Sequence, residues 1–262
     1  MAGKKDAEAP GDAVTEDRFL DGRLRISQPR RGYRAGVDAV ILAAAVPAAA
    51  GERVLELGCG VGAASLCLGV RVSGVGLTGV EVQPRYAELA RGNAARAGIG
   101  LRVVEADLRD LPRDLRSESF DHVITNPPYF RRNEGTIAQD AGRGTSLSET
   151  VPLRIWIDVA LRRLRAGGWL TLIHRIERLP EVLAALEGRA GATEVVPLVS
   201  RPGRAPGLYV LRSAKARRTP FRLAPAVVMH ERATHAGDGE DYAADLIDVL
   251  RNGAPFSGFS QS

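Results

Sequence analysis

Two runs of residues in this chain have types and spacing suited to chemistry. The first, Val54-Leu55-Glu56-Leu57-Gly58-Cys59-Gly60-Val61-Gly62, is an apolar strand that ends in a glycine turn opening a helix. Glycine there removes side chains and permits positive φ, so backbone can approach a cofactor closely. Gly58, Gly60 and Ala63 also satisfy a relaxed dinucleotide fingerprint, so the turn alone leaves a methyl donor and a nicotinamide dinucleotide both open. Glu81, in Gly79-Val80-Glu81-Val82, is placed to accept hydrogen bonds from two ribose hydroxyls, which both ligands require. Asp107, in Glu105-Ala106-Asp107, is placed to accept one from an adenine amine. At three successive strand ends, these segments describe an adenosine pocket.

The second run is Phe120-Asp121-His122-Val123-Ile124-Thr125-Asn126-Pro127-Pro128-Tyr129. Neither proline has an N–H, so the chain must leave the sheet there in a stiff, directed loop. The Asn126 side-chain oxygen and the Pro127 carbonyl then form a pair of acceptors beside the flat face of Tyr129, with Pro128 stiffening the link. Such a pair holds both hydrogens of an exocyclic amine and favours a pyramidal nitrogen, while the ring stacks on the base. Against a reactive methylsulfonium donor, aiming that lone pair is the catalytic task, and the proton can leave after transfer.

The elements needed to position these residues are legible as βα units. Strands are expected at Arg53–Leu57, Val75–Glu81, Leu101–Glu105, Phe120–Thr125 and Trp169–His174. Helices are expected at Val37–Val46, Pro84–Ala97, Glu149–Arg165 and Glu177–Gly188, the second opened by Pro84 and capped by Gly98. Thr193–Ser200 and Leu208–Ala214, joined by a turn rich in glycine and proline, read as a closing antiparallel hairpin. Upstream, Phe19–Tyr33 reads as a small strand pair or lid; downstream, one helix is expected around Asp241–Arg251.

Bulk properties narrow the function classes. A chain of 262 residues, 45% hydrophobic and 26% charged, holds one large α/β domain and is not disordered throughout. The net charge of +5 rests on arginine, since lysine occurs only at Lys4, Lys5 and Lys215, and a basic balance favours a polyanionic partner. Cys59 and Cys67 lack zinc-site spacing and read as small buried residues in a reducing compartment, so no metal is expected. The apolar run 37–50 is short of the roughly 20 residues a membrane span needs. The N-terminus lacks a signal-sequence core, which points to a cytoplasmic protein. His122 and His174 read as core or edge residues rather than catalysts.

The Glu56–Gly62 and Asn126–Tyr129 motifs resemble those of class I S-adenosylmethionine-dependent methyltransferases. Gln28–Arg34, Asp38–Ala43 and Leu161–Gly168 extend the resemblance to the bacterial tRNA adenine N6-methyltransferase family that modifies the adenosine beside the anticodon of a valine tRNA. The resemblance implies a Rossmann-like α/β fold: a mostly parallel seven-stranded sheet with an antiparallel C-terminal hairpin and helices on both faces. It implies S-adenosyl-L-methionine contacts at Glu56, Gly58, Cys59, Gly60 and Gly62, at Glu81, Val82, Asp107 and Leu108, and at Asn126. Arg34 and Asp38 would border that pocket, and Asn126, Pro127, Pro128 and Tyr129 would handle the acceptor.

The expected division is a tail (1–17), a lid or cap (18–50), a methyltransferase core (51–214) and a basic extension packed on the core (215–262). Arg30, Arg31 and Arg34, then Arg131 and Arg132, then Arg201, Arg204, Arg212, Lys215, Arg217 and Arg218, would form a phosphate track for RNA if they share one face. Asp140–Ser148 reads as a flap that orders with substrate. A glutamine side-chain amide and a guanine amine remain alternative acceptors. An NAD-dependent oxidoreductase and a non-catalytic RNA-binding domain are the rivals of another class. Monomer and homodimer are both open.

Overall fold

The computed structural model of the chain describes residues 13–131, 148–149, 151–232 and 241–259. Arg132, segment 140–147 of the expected flap, the side chain of Arg131 and residues 1–12 of the expected tail lie outside what is described. The first elements are β1 (Val14–Phe19) and β2 (Leu24–Pro29), an antiparallel hairpin. Residues 14–17, read from sequence as tail, therefore form a strand. Three pairings hold it: Glu16 with Arg25, and Asp17 with both Gln28 and Arg34. Helix α1 (Val37–Ala45) follows, buried from Ala39 to Ala45, as an apolar helix without a polar face must be.

Then come β3 (Arg53–Leu57), α2 (Ala63–Arg71), β4 (Gly76–Glu81), α3 (Pro84–Ala97), β5 (Leu101–Glu105), α4 (Arg113–Ser117) and β6 (Phe120–Thr125). A short pair, β7 (Phe130–Arg131) and β8 (Ser148–Glu149), leads to α5 (Leu153–Arg163), which starts later than expected because Pro152 takes its N-cap. The chain continues through β9 (Leu164–Arg175), α6 (Leu179–Leu186), β10 (Ala190–Val199) and β11 (Leu208–Lys215). It ends in two short strands, β12 (Arg222–Leu223) and β13 (Val227–Val228), and the helix α7 (Ala244–Ile247).

The main sheet runs β10-β11-β9-β6-β3-β4-β5, with β3, β4, β5, β6 and β9 parallel. The expected hairpin β10–β11 is present, but β11 lies between β9 and β10, antiparallel to both. The small strands β12 and β13 then pair parallel with the outer side of β10, so the sheet continues past residue 214. Helices cover both faces: α1, α2 and α3 with the C-terminal segment on one, α4, α5 and α6 on the other.

The chain reverses its direction of travel across the sheet between β3 and β6. This is the switch point outside whose strand ends doubly wound sheets bind ligands.

The C-terminal segment is seated, not loose. Leu246, Val249, Phe256 and Phe259 are buried, and the Phe256 N–H donates to the Ala44 carbonyl of α1 at 2.9 Å. No helix among the described residues is long and apolar enough to cross a membrane.

Candidate active site

The turn after β3 is bound by its glycines. Gly58, Gly60 and Gly62 have φ of 67°, 52° and 83°, a region that L side chains rarely enter. A Cβ on Gly58 would sit 2.7 Å from the Trp156 ring, and one on Gly60 would meet the Tyr33 ring at 3.5 Å. The turn is pinned from β4, because Glu81 Oε2 accepts the Gly60 N–H at 2.9 Å and Oε1 accepts the Gln83 N–H at 2.8 Å. Asn93 on α3 ties it to the cap: its Nδ2 donates to the Val61 carbonyl at 3.0 Å and its Oδ1 accepts the Ser27 N–H at 2.8 Å.

A cavity of about 200 Å³ opens at these strand ends. Of the residues singled out in the sequence, it gathers Arg34, Asp38, Gly58, Gly60, Glu81, Val82, Asp107, Leu108, Asn126, Pro127, Pro128 and Tyr129. The glycine turn and the proline loop, 64 residues apart from Gly62 to Asn126, thus face one space.

Of the residues expected to touch the donor, Glu56, Cys59 and Gly62 are not among those lining that cavity. The Glu56 carboxylate turns inward, where one oxygen accepts both the Ser65 N–H at 3.0 Å and the Ser65 hydroxyl at 2.5 Å. Cys59 is buried with its sulfur against Gly79, whose added Cβ would lie 2.7 Å from it. Gly62 caps α2 beneath Leu101 and Ala90.

Burial pushes the Glu56 carboxyl up to about 7, against the two Ser65 hydrogen bonds. The folded state therefore keeps a proton that the unfolded chain loses near pH 4.5, and stability falls as pH rises from there to 7. Glu56→Gln retains an acceptor for Ser65 and removes the titration. The stability of this variant minus that of wild type should climb by up to about 3 kcal/mol across the window and level off above it. Urea unfolding at several pH values measures that difference, and a flat difference refutes the assignment.

Other lining residues were not singled out in the sequence. Tyr33 and Gly36 come from the cap, Gln83 and Tyr86 from the start of α3, Val151 and Trp156 from the start of α5. The Tyr86 hydroxyl donates to the Tyr33 carbonyl at 3.1 Å, fixing the cap over the turn. Arg34 lines the wall, but its guanidinium is spent on Asp17, Thr15 and the Pro29 carbonyl, so it pins the hairpin.

The walls fit an adenosylated ligand. Each Glu81 oxygen accepts one backbone N–H and keeps a lone pair for ribose hydroxyls. Val82 is 57% exposed, an apolar side chain open beside Ala106 and Leu108 as a flat purine requires. Asp107 is gripped by Arg109, which holds its carboxyl below the usual range and keeps it an acceptor.

At the other end of the cavity, Asn126 Oδ1 is buried with no hydrogen-bond partner among the described residues. An unmade bond at such an atom costs on the order of 1–3 kcal/mol, so a donor is wanted there. Tyr129 is held at its tip and its edge: its hydroxyl donates to Asp38 Oδ2 at 2.5 Å, and the His174 ring meets it edge-on at 5.3 Å. His174 Nδ1 accepts the Arg175 N–H, and burial draws its pKa down to about 4, so the ring is neutral at pH 7. His122 faces Glu52, at 2.9 Å, on the far side of β6 from this site.

Residues 35–196 match the model of the methyltransferase small domain. The chain belongs to this family. It is an S-adenosylmethionine-dependent methyltransferase, which resolves the ambiguity that the glycine turn left with nicotinamide dinucleotides. This methyltransferase is 34% identical over 175 residues, 63% of its length and 68% of the relative's, to a Porphyromonas gingivalis protein named tRNA1(Val) (adenine(37)-N6)-methyltransferase.

Among solved structures, an Agrobacterium tumefaciens chain described as a "predicted O-methyltransferase" superposes with a TM-score of 0.66 at 28% identity. That match covers 84% of the methyltransferase and 98% of its neighbour. A Thermus thermophilus 16S rRNA N2 G1207 methyltransferase in complex with AdoMet and guanosine shares the fold. Its TM-score is 0.52 at 21% identity, covering 78% of this chain and 50% of that one.

The basic residues do not share one face. Arg212 lies inside the fold, its guanidinium bonded to the Ala45 carbonyl and 4.0 Å over the Phe259 ring. Lys215 donates to the Leu164 carbonyl at the opposite end of the sheet from the cavity, and Arg217 and Arg218 follow it there. Arg201 is bound to Asp241 and the Arg232 carbonyl. Arg30, Arg31 and Arg204 remain exposed on the cavity's end of the molecule.

Proposed function

We propose that this methyltransferase moves a methyl group from S-adenosyl-L-methionine to the N6 amine of an adenine in RNA, an anticodon-loop adenosine of a tRNA, in the cytoplasm. The observation that carries the reading is the buried Oδ1 of Asn126, without a hydrogen-bond partner among the described residues, on a side chain that lines the same cavity as the glycine turn. The name of the Porphyromonas gingivalis relative supports the tRNA substrate.

The cofactor supplies an electrophilic methyl on a sulfonium. Glu81 accepts the ribose hydroxyls, and Val82 and Leu108 flank the purine. Asn126 Oδ1 and the Pro127 carbonyl accept the two hydrogens of the acceptor amine, drawing its lone pair out of conjugation, and Tyr129 fixes the plane of the base. A hydroxyl acceptor carries a single hydrogen and would leave one of these oxygens unsatisfied, which favours nitrogen over the oxygen named for the Agrobacterium neighbour. Exposed Arg30, Arg31 and Arg204 at this end of the molecule suit backbone phosphates.

The test is transfer of a labelled methyl group to total tRNA from cells lacking the gene, followed by nucleoside mass spectrometry. Label in N6-methyladenosine is expected. Label in N2-methylguanosine, or tRNA left unlabelled while an extract of the same cells takes up RNase-resistant label in protein glutamine, would overturn the adenine assignment.

A further inference from the structure

An asparagine side chain is nearly symmetric in shape, yet a half-turn about its last bond exchanges acceptor for donor. For a site that must accept from an amine, the flipped state is ruinous, because it sets NH₂ against NH₂. Something in the fold must break the symmetry at Asn126.

The hydrogen bonds around it do so. The Tyr129 hydroxyl has one hydrogen, and it is committed to Asp38 Oδ2 at 2.5 Å. Burial raises the pKa of the Asp38 carboxyl against the pull of this hydrogen bond, and burial beside Asp38 keeps the Tyr129 phenol protonated, so the phenol donates and the ionised carboxylate accepts. The phenol oxygen then has only lone pairs left for the Asn126 side chain, which lines the same cavity as Tyr33 and Tyr129. Lone pairs there call for Nδ2, and Oδ1 is the atom left buried without a partner. We propose that Asp38, acting through the Tyr129 hydroxyl, is a positioning residue that locks the Asn126 carboxamide with Nδ2 on the phenol and Oδ1 toward the acceptor amine. This rests on the amine-methylation reading above. It moves Asp38, expected from sequence at the donor pocket's border, into the service of the acceptor.

Asp38→Asn keeps shape but lets residue 38 donate to the phenol oxygen, which frees the Tyr129 hydrogen to turn toward Asn126 Oδ1. Tyr129→Phe removes the link altogether. Each variant should slow single-turnover methyl transfer to tRNA by about 10–100-fold, with S-adenosylmethionine affinity by calorimetry within about twofold of wild type. The double variant should be no slower than the slower single, since both break one chain. Multiplying effects, or a donor affinity that falls in step with the rate in Asp38→Asn, would overturn the proposal.

A second readout needs no substrate. The chain has four asparagines, Asn93, Asn126, Asn133 and Asn252, so the side-chain amides of asparagine-labelled protein give four pairs of NMR signals. The Asn126 pair, assigned by its loss in Asn126→Asp, should exchange slowly with solvent in wild type and quickly in both variants. Unchanged exchange in both sinks the proposal. A responding pair in an enzyme that methylates no RNA amine supports the hydrogen-bond chain and refutes the acceptor assignment instead.

Discussion

Asn126→Ala is expected to lower methyl transfer by about 10³-fold while leaving S-adenosylmethionine affinity within about threefold of wild type. The size follows from losing one of two oriented acceptors at the reacting nitrogen, where a single preorganised hydrogen bond is worth about 10²–10³ in rate. The separation of effects follows from geometry. On the proposed reading the donor rests on Gly58, Gly60, Glu81 and Val82 at the ends of β3 and β4, whereas Asn126 sits at the end of β6 with its oxygen unpartnered among the described residues. Single-turnover kinetics and calorimetry on the same preparation measure the two halves. A fall in donor affinity as large as the fall in rate would show that the proline loop serves the cofactor.

Gly58→Ala should do the converse and more, weakening donor binding by at least about 100-fold and lowering the melting temperature. Its Cβ would lie 2.7 Å and 2.9 Å from two carbons of the Trp156 ring, with φ at 67°. The left-handed backbone costs about 1–2 kcal/mol for an L residue and the overpacking a further 1–3 kcal/mol. Trp156, on α5, is buried in the core with its indole N–H bonded to the Val151 carbonyl, which holds the ring in place. Adding Trp156→Phe should restore part of the stability, because it removes the colliding ring atoms but not the φ strain. Thermal denaturation of the two variants against wild type reads this directly. Full recovery would mean that the backbone conformation is not strained at all.

Much of this site is legible before any coordinates because its key parts are contiguous. The glycine turn and the Asn-Pro-Pro-Tyr loop each directly follow a strand, and parallel strands bring those ends together. What escaped is of two kinds. Tyr86 on α3 and Trp156 on α5 reach the cavity from separate helices, where an aromatic residue reads equally well as core, and Tyr33 reaches it from the loop before α1. Side-chain direction is the second kind. Glu56 was expected at the donor from the family resemblance, and its carboxylate turns toward Ser65. Arg212 was counted toward a phosphate track because charge is assumed to face water. It sits mid-strand among buried Leu211, Ser213 and Ala214, where a snorkelling stem and the Phe259 ring shelter its guanidinium. An arginine with buried neighbours on both sides of a strand was the available warning.

The seating of Phe256 and Phe259 beside α1 has a consequence for how the chain is born. A partner that residues 37–45 rest on leaves the ribosome about 200 residues after them, on the order of tens of seconds later. Through that interval the helix behind Tyr33 and Asp38 keeps part of its greasy surface open to water and to chaperones. The roof of the reaction chamber is thus completed by residues translated long after it begins to form.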